Sequence, residues 1–327
     1  MIHAAIVGLG RWGRNLVGSV QGGNGLLRFT HAVVRRPDAA LNFAAQHGIE
    51  LSADFGAVLS DARIHAVVLA TPHSLHAAQI IAAAAAGKAV FCEKPLALKR
   101  ADAARAIEAC RRSGVPLGLG YNKRFWPSMR ELKRIVDSGA LGEILHAEGH
   151  FSNETTGRFY GGWRGDENES PAGGLTATGV HVLDAFVDLA GPARRVSAQW
   201  LGHGSGGEPL DSLTVTFEFE NRASGVLACV RSTPQFWRVH VFGRNGSAEA
   251  LEDTDVVVRM AGTPPERRNF ESVDTLRLEL EAFAHCVTTR APYPIPFDQM
   301  LDGVAALEAI TKSLATGGPI VLDREGM

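Results

Sequence analysis

The residues best suited to chemistry stand at the ends of short apolar runs. Ile2 to Val7 is one such run, and it leads straight into Gly8-Leu9-Gly10-Arg11-Trp12-Gly13. Gly-x-Gly-x-x-Gly at the handover from a buried strand to a helix is a dinucleotide signature with a physical basis. Gly8 permits the tight turn, Gly10 lets the backbone approach a pyrophosphate, and Gly13 lets helix and strand pack closely. The anion then rests on the unpaired N–H groups of the helix N-terminus, beside Arg11 and Trp12. A Gly-rich turn of no special function shows the same letters in a chain with 36 glycines, so the flanking strand and helix decide the reading. A second run ends in Val34-Arg35-Arg36-Pro37, about 20 residues on, where an NAD site commonly places an acid for the ribose 2′-hydroxyl. With arginine there instead, Arg35 and Arg36 could fork around a 2′-phosphate. The alternative is two solvated arginines on a loop. NADP is therefore the expected cofactor, with NAD possible. Another run ends in Cys92-Glu93-Lys94-Pro95. An ammonium at that place can hydrogen-bond a hydroxyl or carbonyl oxygen and stabilise the charge that such an oxygen gains or sheds in hydride transfer. Taken alone, Lys94 is better read as a surface lysine before a proline turn.

The elements that must position these residues follow from periodicity. From Met1 to about Gly120 the apolar runs Ile2–Val7, Phe29–Val34, Ile64–Ala70, Ala89–Cys92 and Val115–Gly118 alternate with helix-like segments at Asp38–His47, His73–Ala86 and Arg100–Ser113. This rhythm predicts a parallel sheet with crossover helices, which binds ligands at the carboxyl ends of its strands. After Tyr121 the rhythm changes. Phe125–Ser138 reads as an amphipathic helix with Met129, Leu132, Ile135 and Val136 on one side, ended by Gly139. Strands are expected at Glu143–Ser152, Arg194–Leu201, Ser212–Phe219, Ser224–Arg231, Trp237–Phe242 and Asp255–Met260. The alternation of Thr214, Thr216 and Glu218 with Val215, Phe217 and Phe219 suits an antiparallel sheet with one wetter face. Two helices, Thr275–Thr288 and Phe297–Thr316, close the chain and are expected to pack back across the domain junction. The predicted fold is α/β: residues 1–121 form a Rossmann dinucleotide-binding domain, and residues 122–327 form an α+β domain with an open, largely antiparallel sheet.

Composition sets the outer limits. The 327 residues suffice for two domains with cores of their own. A hydrophobic share of 45% with 21% charged residues is that of a globular enzyme. The formal net charge of −2 makes no electrostatic case for nucleic acid or an anionic membrane as partner. The bland stretch Ala77 to Val90 is too short to span a bilayer and is broken by Gly87 and Lys88. No secretory signal is expected ahead of Ile2. Cys92, Cys110, Cys229 and Cys286 are widely spaced, which suggests neither a metal site nor a disulfide framework, so a cytoplasmic location is the default.

Several local patterns point further. Ala70-Thr71-Pro72 followed by His76, then Ala86-Gly87-Lys88, Glu93-Lys94-Pro95-Leu96, Gly120-Tyr121-Asn122-Lys123-Arg124-Phe125 and Ser138-Gly139-Ala140-Leu141-Gly142-Glu143-Ile144 together resemble the Gfo/Idh/MocA family (glucose-fructose oxidoreductase, inositol dehydrogenase, rhizopine catabolism). The resemblance covers nearly the whole chain. It implies a nicotinamide-dependent oxidoreductase acting on a sugar, polyol, inositol or related hydroxy or keto compound. It also implies a homodimer or homotetramer assembled through the second-domain sheet. The family pattern adds Thr71, Pro72, His73, His76 and Glu93 to the cofactor contacts, and assigns the reacting oxygen to Lys94.

Gly173-Gly174-Leu175-Thr176-Ala177-Thr178-Gly179-Val180-His181 is similar to the family's helix that faces the nicotinamide, which commonly has an Asp four residues before the histidine. Here Ala177 occupies that place, and Thr176, Thr178, Asp184 or a water are the open substitutes. The resemblance implies that His181 handles the substrate proton, with Asn122, Tyr160, Trp163, Arg164 and Thr178 lining the substrate pocket. For an isolated histidine a buried structural role is the alternative, and for Trp163 and Arg164 it is loop packing. The missing carboxylate keeps two other readings open: a lyase or glycoside-cleaving enzyme that uses the cofactor transiently, and a non-catalytic NADP-responsive binding protein.

Overall fold

A computed structural model of the chain describes residues 1–23, 25–153, 162–202, 211–231 and 233–322. They form two compact units: Met1–Asn122 with Asp274–Met300, and Lys123–Val273 with Leu301–Met327. The chain leaves the first unit after Asn122 and returns to it with residues 274–300.

The first unit is built on a six-stranded sheet of β1 (Ile2–Val7), β2 (Leu27–Val33), β3 (Glu50–Ser52), β4 (Ala66–Leu69), β5 (Ala89–Glu93) and β6 (Leu117–Gly120), in the order β3-β2-β1-β4-β5-β6. Every ladder in it is parallel. The central strands are continuous apolar runs because both faces of a parallel sheet are covered; Ala66 to Leu69, for example, are buried throughout. The crossover helices are α1 (Arg11–Val20), α2 (Leu41–His47), α3 (Phe55–Ser60), α4 (His76–Ala85) and α5 (Arg100–Ser113), and the late helix α8 (Thr275–Thr289) packs on the same sheet. The Asp54 carboxylate caps α3 by accepting from the Gly56 and Ala57 N–H groups at 2.7 and 3.2 Å. Strand order reverses between β1 and β4, and that is where a doubly wound sheet opens a crevice.

Two differences from expectation have local causes. The last strand is Leu117–Gly120 rather than Val115–Gly118, since the Val115 N–H still bonds the Cys110 carbonyl at the end of α5 and Pro116 has no N–H to give a ladder. The shift moves Tyr121 and Asn122 to the carboxyl edge of the sheet. Strand β3 has three residues, too few to show an alternation, and exists through its pairing with β2.

The second unit holds a nine-stranded mixed sheet of β7 (Ile144–Ser152), β8 (Ala193–Gly202), β9 (Asp211–Phe219), β10 (Ser224–Val230), β11 (Phe236–Gly243), β12 (Gly246–Leu251), β13 (Asp255–Met260), β14 (Glu266–Asn269) and β15 (Ile320–Val321). Their order is β14-β13-β12-β11-β7-β10-β9-β8-β15. All neighbours are antiparallel except β7 and β10. Helices α6 (Pro127–Asp137) and α7 (Val180–Ala190) pack on this sheet, and α9 (Phe297–Thr316) follows α8 in the chain. Phe186 of α7 meets Phe217 and Phe219 edge-on at 5.4 and 5.9 Å, which anchors the helix on the core. Strand β12, Gly-Ser-Ala-Glu-Ala-Leu, has little β propensity and was not expected; its pairing with β11 on one side and β13 on the other supplies what its side chains lack. Among the described residues no helix is long and apolar enough to cross a membrane.

Candidate active site

The Gly-rich loop does what its glycines allow. Gly8 follows β1 with φ of 94°, and a Cβ there would stand 2.6 Å from the Ala70 carbonyl oxygen, so the loops after β1 and β4 touch at the crevice. A Cβ at Gly13 would stand 2.1 Å from the Gly8 oxygen, whereas at Gly10 it would meet no atom within 4 Å. The open side at Gly10 adjoins the head of α1, which has no side-chain cap and no acid in its first turn. Its first N–H groups are therefore available to an anion, and the residues present fit a dinucleotide pyrophosphate. Gly13→Ala forces loop and helix apart and is expected to lower both the melting temperature and nucleotide affinity, at a cost of about 1–3 kcal/mol. Gly10→Ala should fold like wild type and lose affinity alone. Thermal melts with and without NADPH separate the two.

Arg14, on which no sequence motif falls, ties this loop to the turn after β2. Its Nε donates to the Leu9 carbonyl at 3.3 Å, its Nη2 to the Ala39 carbonyl at 3.2 Å, and its guanidinium stacks 4.9 Å from the Phe43 ring centre. In the segment so held, Arg35 and Arg36 are both exposed. Arg11 is exposed with its guanidinium 5.8 Å from the Trp12 ring centre.

The ends of β4 and β5 are braced together. Thr71 Oγ1 donates to Gln79 Oε1 at 2.6 Å, and Pro72 opens a short 3₁₀ turn at His73–Leu75. His76 is 0% exposed, and its ring lies between two carbonyls, Pro95 at 2.8 Å from Nδ1 and Thr71 at 3.1 Å from Nε2. With its two ring nitrogens at these carbonyl oxygens, His76 links the loop after β4 to the loop after β5. His73, also buried, meets it edge-on at 5.8 Å. Lys94 follows β5, half-buried, with a cis peptide to Pro95, and its backbone N–H donates to Glu93 Oε2 at 3.3 Å. Glu93 is 6% exposed and packs over Gly120 of the neighbouring strand. Asn122, just past β6, donates from Nδ2 to Thr275 Oγ1 at 3.0 Å, fastening the head of α8 to the sheet edge.

In the second unit, His181 stands in the first turn of α7, is 7% exposed, and has its ring edge-on to Phe151 at 6.2 Å. The residues before it, Leu175–Gly179, make a π-helical turn, with the Val180 N–H bonded to the Leu175 carbonyl. The α-helical spacing rule relating Ala177 to His181 does not carry across such a turn, a form common at functional sites. Of the substitutes for the missing carboxylate, Thr176 is fully buried with its Oγ1 accepting the Ala172 N–H, and Thr178 donates to the Gly174 carbonyl at 2.7 Å. Asp184 is bound in a two-pronged ion pair with Arg124 at 2.8 and 2.7 Å, and Arg124 also reaches Asp188 at 3.0 Å. Burial pushes the Asp184 carboxyl up to about 6, with Arg124 pulling it back and Asp188 adding to the rise. Lys123, which the sequence did not single out, puts its ammonium 3.4 Å from the Trp126 ring centre, 4.5 Å from Phe151 and 5.1 Å from Trp237. Trp126 is three residues on, but Phe151 and Trp237 come from distant positions, so no local pattern announces the whole cage. Arg164 stacks on Trp163 at 4.3 Å within the 3₁₀ turn Gly162–Gly165. Tyr160 lies outside the described residues.

An uncapped, Gly-opened helix at the switch point of a 3-2-1-4-5-6 parallel sheet is the build of a dinucleotide-binding domain. The profile of the GFO/IDH/MocA oxidoreductase family, NAD-binding Rossmann fold, matches residues 2–121, and that of the GFO/IDH/MocA C-terminal domain matches residues 129–249. Scyllo-inositol 2-dehydrogenase (NAD(+)) of Bacillus subtilis is 30% identical over 353 residues, covering 98% of this chain and 96% of that enzyme. The chain belongs to the Gfo/Idh/MocA family and is a nicotinamide-dependent oxidoreductase. Among solved structures, a levoglucosan dehydrogenase in complex with NADH and levoglucosan matches with a TM-score of 0.88 at 20% identity, covering 99% of this chain and 100% of that one. A putative NADPH-dependent oxidoreductase from Desulfitobacterium hafniense matches with a TM-score of 0.88 at 24% identity, covering 98% and 97%. At these identities the two structures speak for the fold alone.

Proposed function

We propose that the chain is an NADP-preferring dehydrogenase that oxidises a ring hydroxyl of a sugar, inositol or related polyol, or reduces the matching ketone. The single observation that carries the reading is Lys94: a half-buried ammonium at the carboxyl end of β5, on loops that His76 braces to the crevice strand β4. The inositol dehydrogenase of Bacillus subtilis supports a cyclic polyol as substrate class. When bound, the nicotinamide takes or supplies the hydride. Lys94 donates a hydrogen bond to the oxygen on the reacting carbon and stabilises its developing negative charge. His181 takes the hydroxyl proton on oxidation and returns it on reduction. Assembly through the nine-stranded sheet accompanies this reading, supported by the exposed Trp200 and Leu201 on β8, and so does a cytoplasmic location, supported by four buried free cysteines.

The cofactor preference rests on Arg35 and Arg36, exposed just past β2 where an NAD enzyme would place an acid. Charge-assisted bonds to a phosphate contribute about 1.5–3 kcal/mol each, so NADP(H) should bind at least tenfold more tightly than NAD(H). Replacing the pair by Asp and Ser should shift the preference towards NAD. Equal affinities in wild type, by calorimetry at fixed salt, sink the preference. The function itself is tested by cofactor absorbance against a panel of inositols, sugars and anhydrosugars. Stoichiometric reduction marks the dehydrogenase. Product without net reduction marks the transient-redox reading, which the missing carboxylate before His181 keeps open. Cofactor binding with neither outcome marks a binding protein.

A further inference from the structure

Alternate residues of a strand share a face, so Phe91 and Glu93 point the same way from β5. Across the ladder to β6 they stand opposite Gly118 and Gly120. Both glycines leave room that is already used. A Cβ at Gly118 would sit 3.0 Å from the Phe91 and Phe283 rings, and one at Gly120 would sit 2.8 Å from Glu93 Oε1. Phe283 of α8 meets Phe91 edge-on, 5.6 Å between ring centres. The Asn122–Thr275 bond holds the head of α8 at the carboxyl edge, so α8 runs antiparallel to β5 and β6. One turn back from Phe283 is about 5.4 Å along the helix, and two residues on from Phe91 is about 6.6 Å along the strand. The residue that this register sets over Glu93 is Glu279.

Glu279 is 0% exposed, and no donor among the described residues reaches either of its carboxyl oxygens. The charges that act on it are Glu93 and Lys94 from the end of β5 and Asp274 at the head of its own helix. Strand β6 contributes no titratable group there; α1 and β2, which also pack on α8, carry Arg11, Arg14, Arg28 and His31. Burial, and after it Glu93, pushes the Glu279 carboxyl well above the usual range, with Lys94 opposing. One ammonium beside two buried carboxyls leaves one of them to keep its proton.

We propose that Glu279 is carried as the neutral acid, donates its O–H to the Glu93 carboxylate, and so acts as the positioning residue for Lys94. With part of the Glu93 charge taken up by that bond, the Lys94 ammonium stays directed at the substrate oxygen. The positioning role rests on reading Lys94 as the oxygen-polarising group; the place of the proton does not.

The test compares the full-length wild type with E279Q and E279L. Infrared spectra of the wild type at neutral pH should show the carbonyl stretch of a buried protonated carboxyl, and E279Q should lack it. The pH dependence of Lys94 acylation by acetic anhydride, read by peptide mass spectrometry, should be the same in E279Q, whose amide still donates to Glu93. In E279L the midpoint should rise by about one unit, because an undivided Glu93 charge holds the ammonium more tightly. Turnover should follow, near wild type in E279Q and about tenfold lower in E279L, with nucleotide affinity unchanged in both. Should E279L fail to fold, E279M takes its place. A neutral-pH spectrum without the band, or acylation midpoints that move together or not at all, overturns the proposal. Both spectroscopy and acylation need no substrate, so their outcome is independent of whether the panel reveals dehydrogenase activity.

Discussion

Lys94→Ala is expected to lower turnover on the true substrate by about 10²–10³-fold, the usual effect of removing one donor to a developing oxyanion. Nucleotide affinity should stay within a few-fold of wild type. The motive is the position of Lys94 at the carboxyl end of β5, half-buried in a site where the crevice loops are held by His76. A cation there matters more as charge develops than in the ground state, so the loss should fall on kcat before KM. Lys94→Arg keeps the charge and should recover only part of the rate, since a planar fork does not reproduce an ammonium's single directed bond. Steady-state kinetics beside a nucleotide titration checks both. A Lys94→Ala enzyme that turns over at a near-normal rate means the lysine is structural and the oxygen is polarised by another group.

His181→Ala is expected to lower the rate by roughly 10²–10⁴-fold, the range for loss of a general acid–base group. It should also remove one limb of the pH–rate profile, because no other group takes over the proton at the same pH. The two obvious helpers are already engaged: Thr178 donates to its own helix and Asp184 is paired with Arg124. His181→Asn preserves polarity and size without titrating, so it should share the rate loss while folding normally. If the pH profile of His181→Ala matches wild type, the proton goes elsewhere, and the assignment of function then rests on the cofactor site alone.

Much of the first unit is legible in the order of its residues. A buried strand in a parallel sheet is a short apolar run, and a dinucleotide loop needs glycine at set places, so Ile2–Val7 with Gly8, Gly10 and Gly13 reads directly as strand and loop. Lys94 at a strand end follows from the same run-and-turn pattern together with the motifs around it. The second unit is legible in type, through the alternation along Ser212–Phe219, but not in its parallel β7–β10 pair or in β12, whose alanines acquire strand geometry only from partners on both sides. The brace that His76 makes is not legible in the sequence, because its two carbonyl partners are fixed by how the loops after β4 and β5 lie, not by its neighbours in the chain. The π turn before His181 likewise replaces an α-helical spacing that the letters alone imply. Glu279 is the plainest case: in the sequence it is one acid in an amphipathic helix. Its burial over Glu93 depends on the space left by Gly118 and Gly120 and on Phe283 packing against Phe91. Periodicity in a sequence reports that a face will be covered; only the tertiary structure decides by which residue, because the partner lies far away in the chain and is chosen by shape.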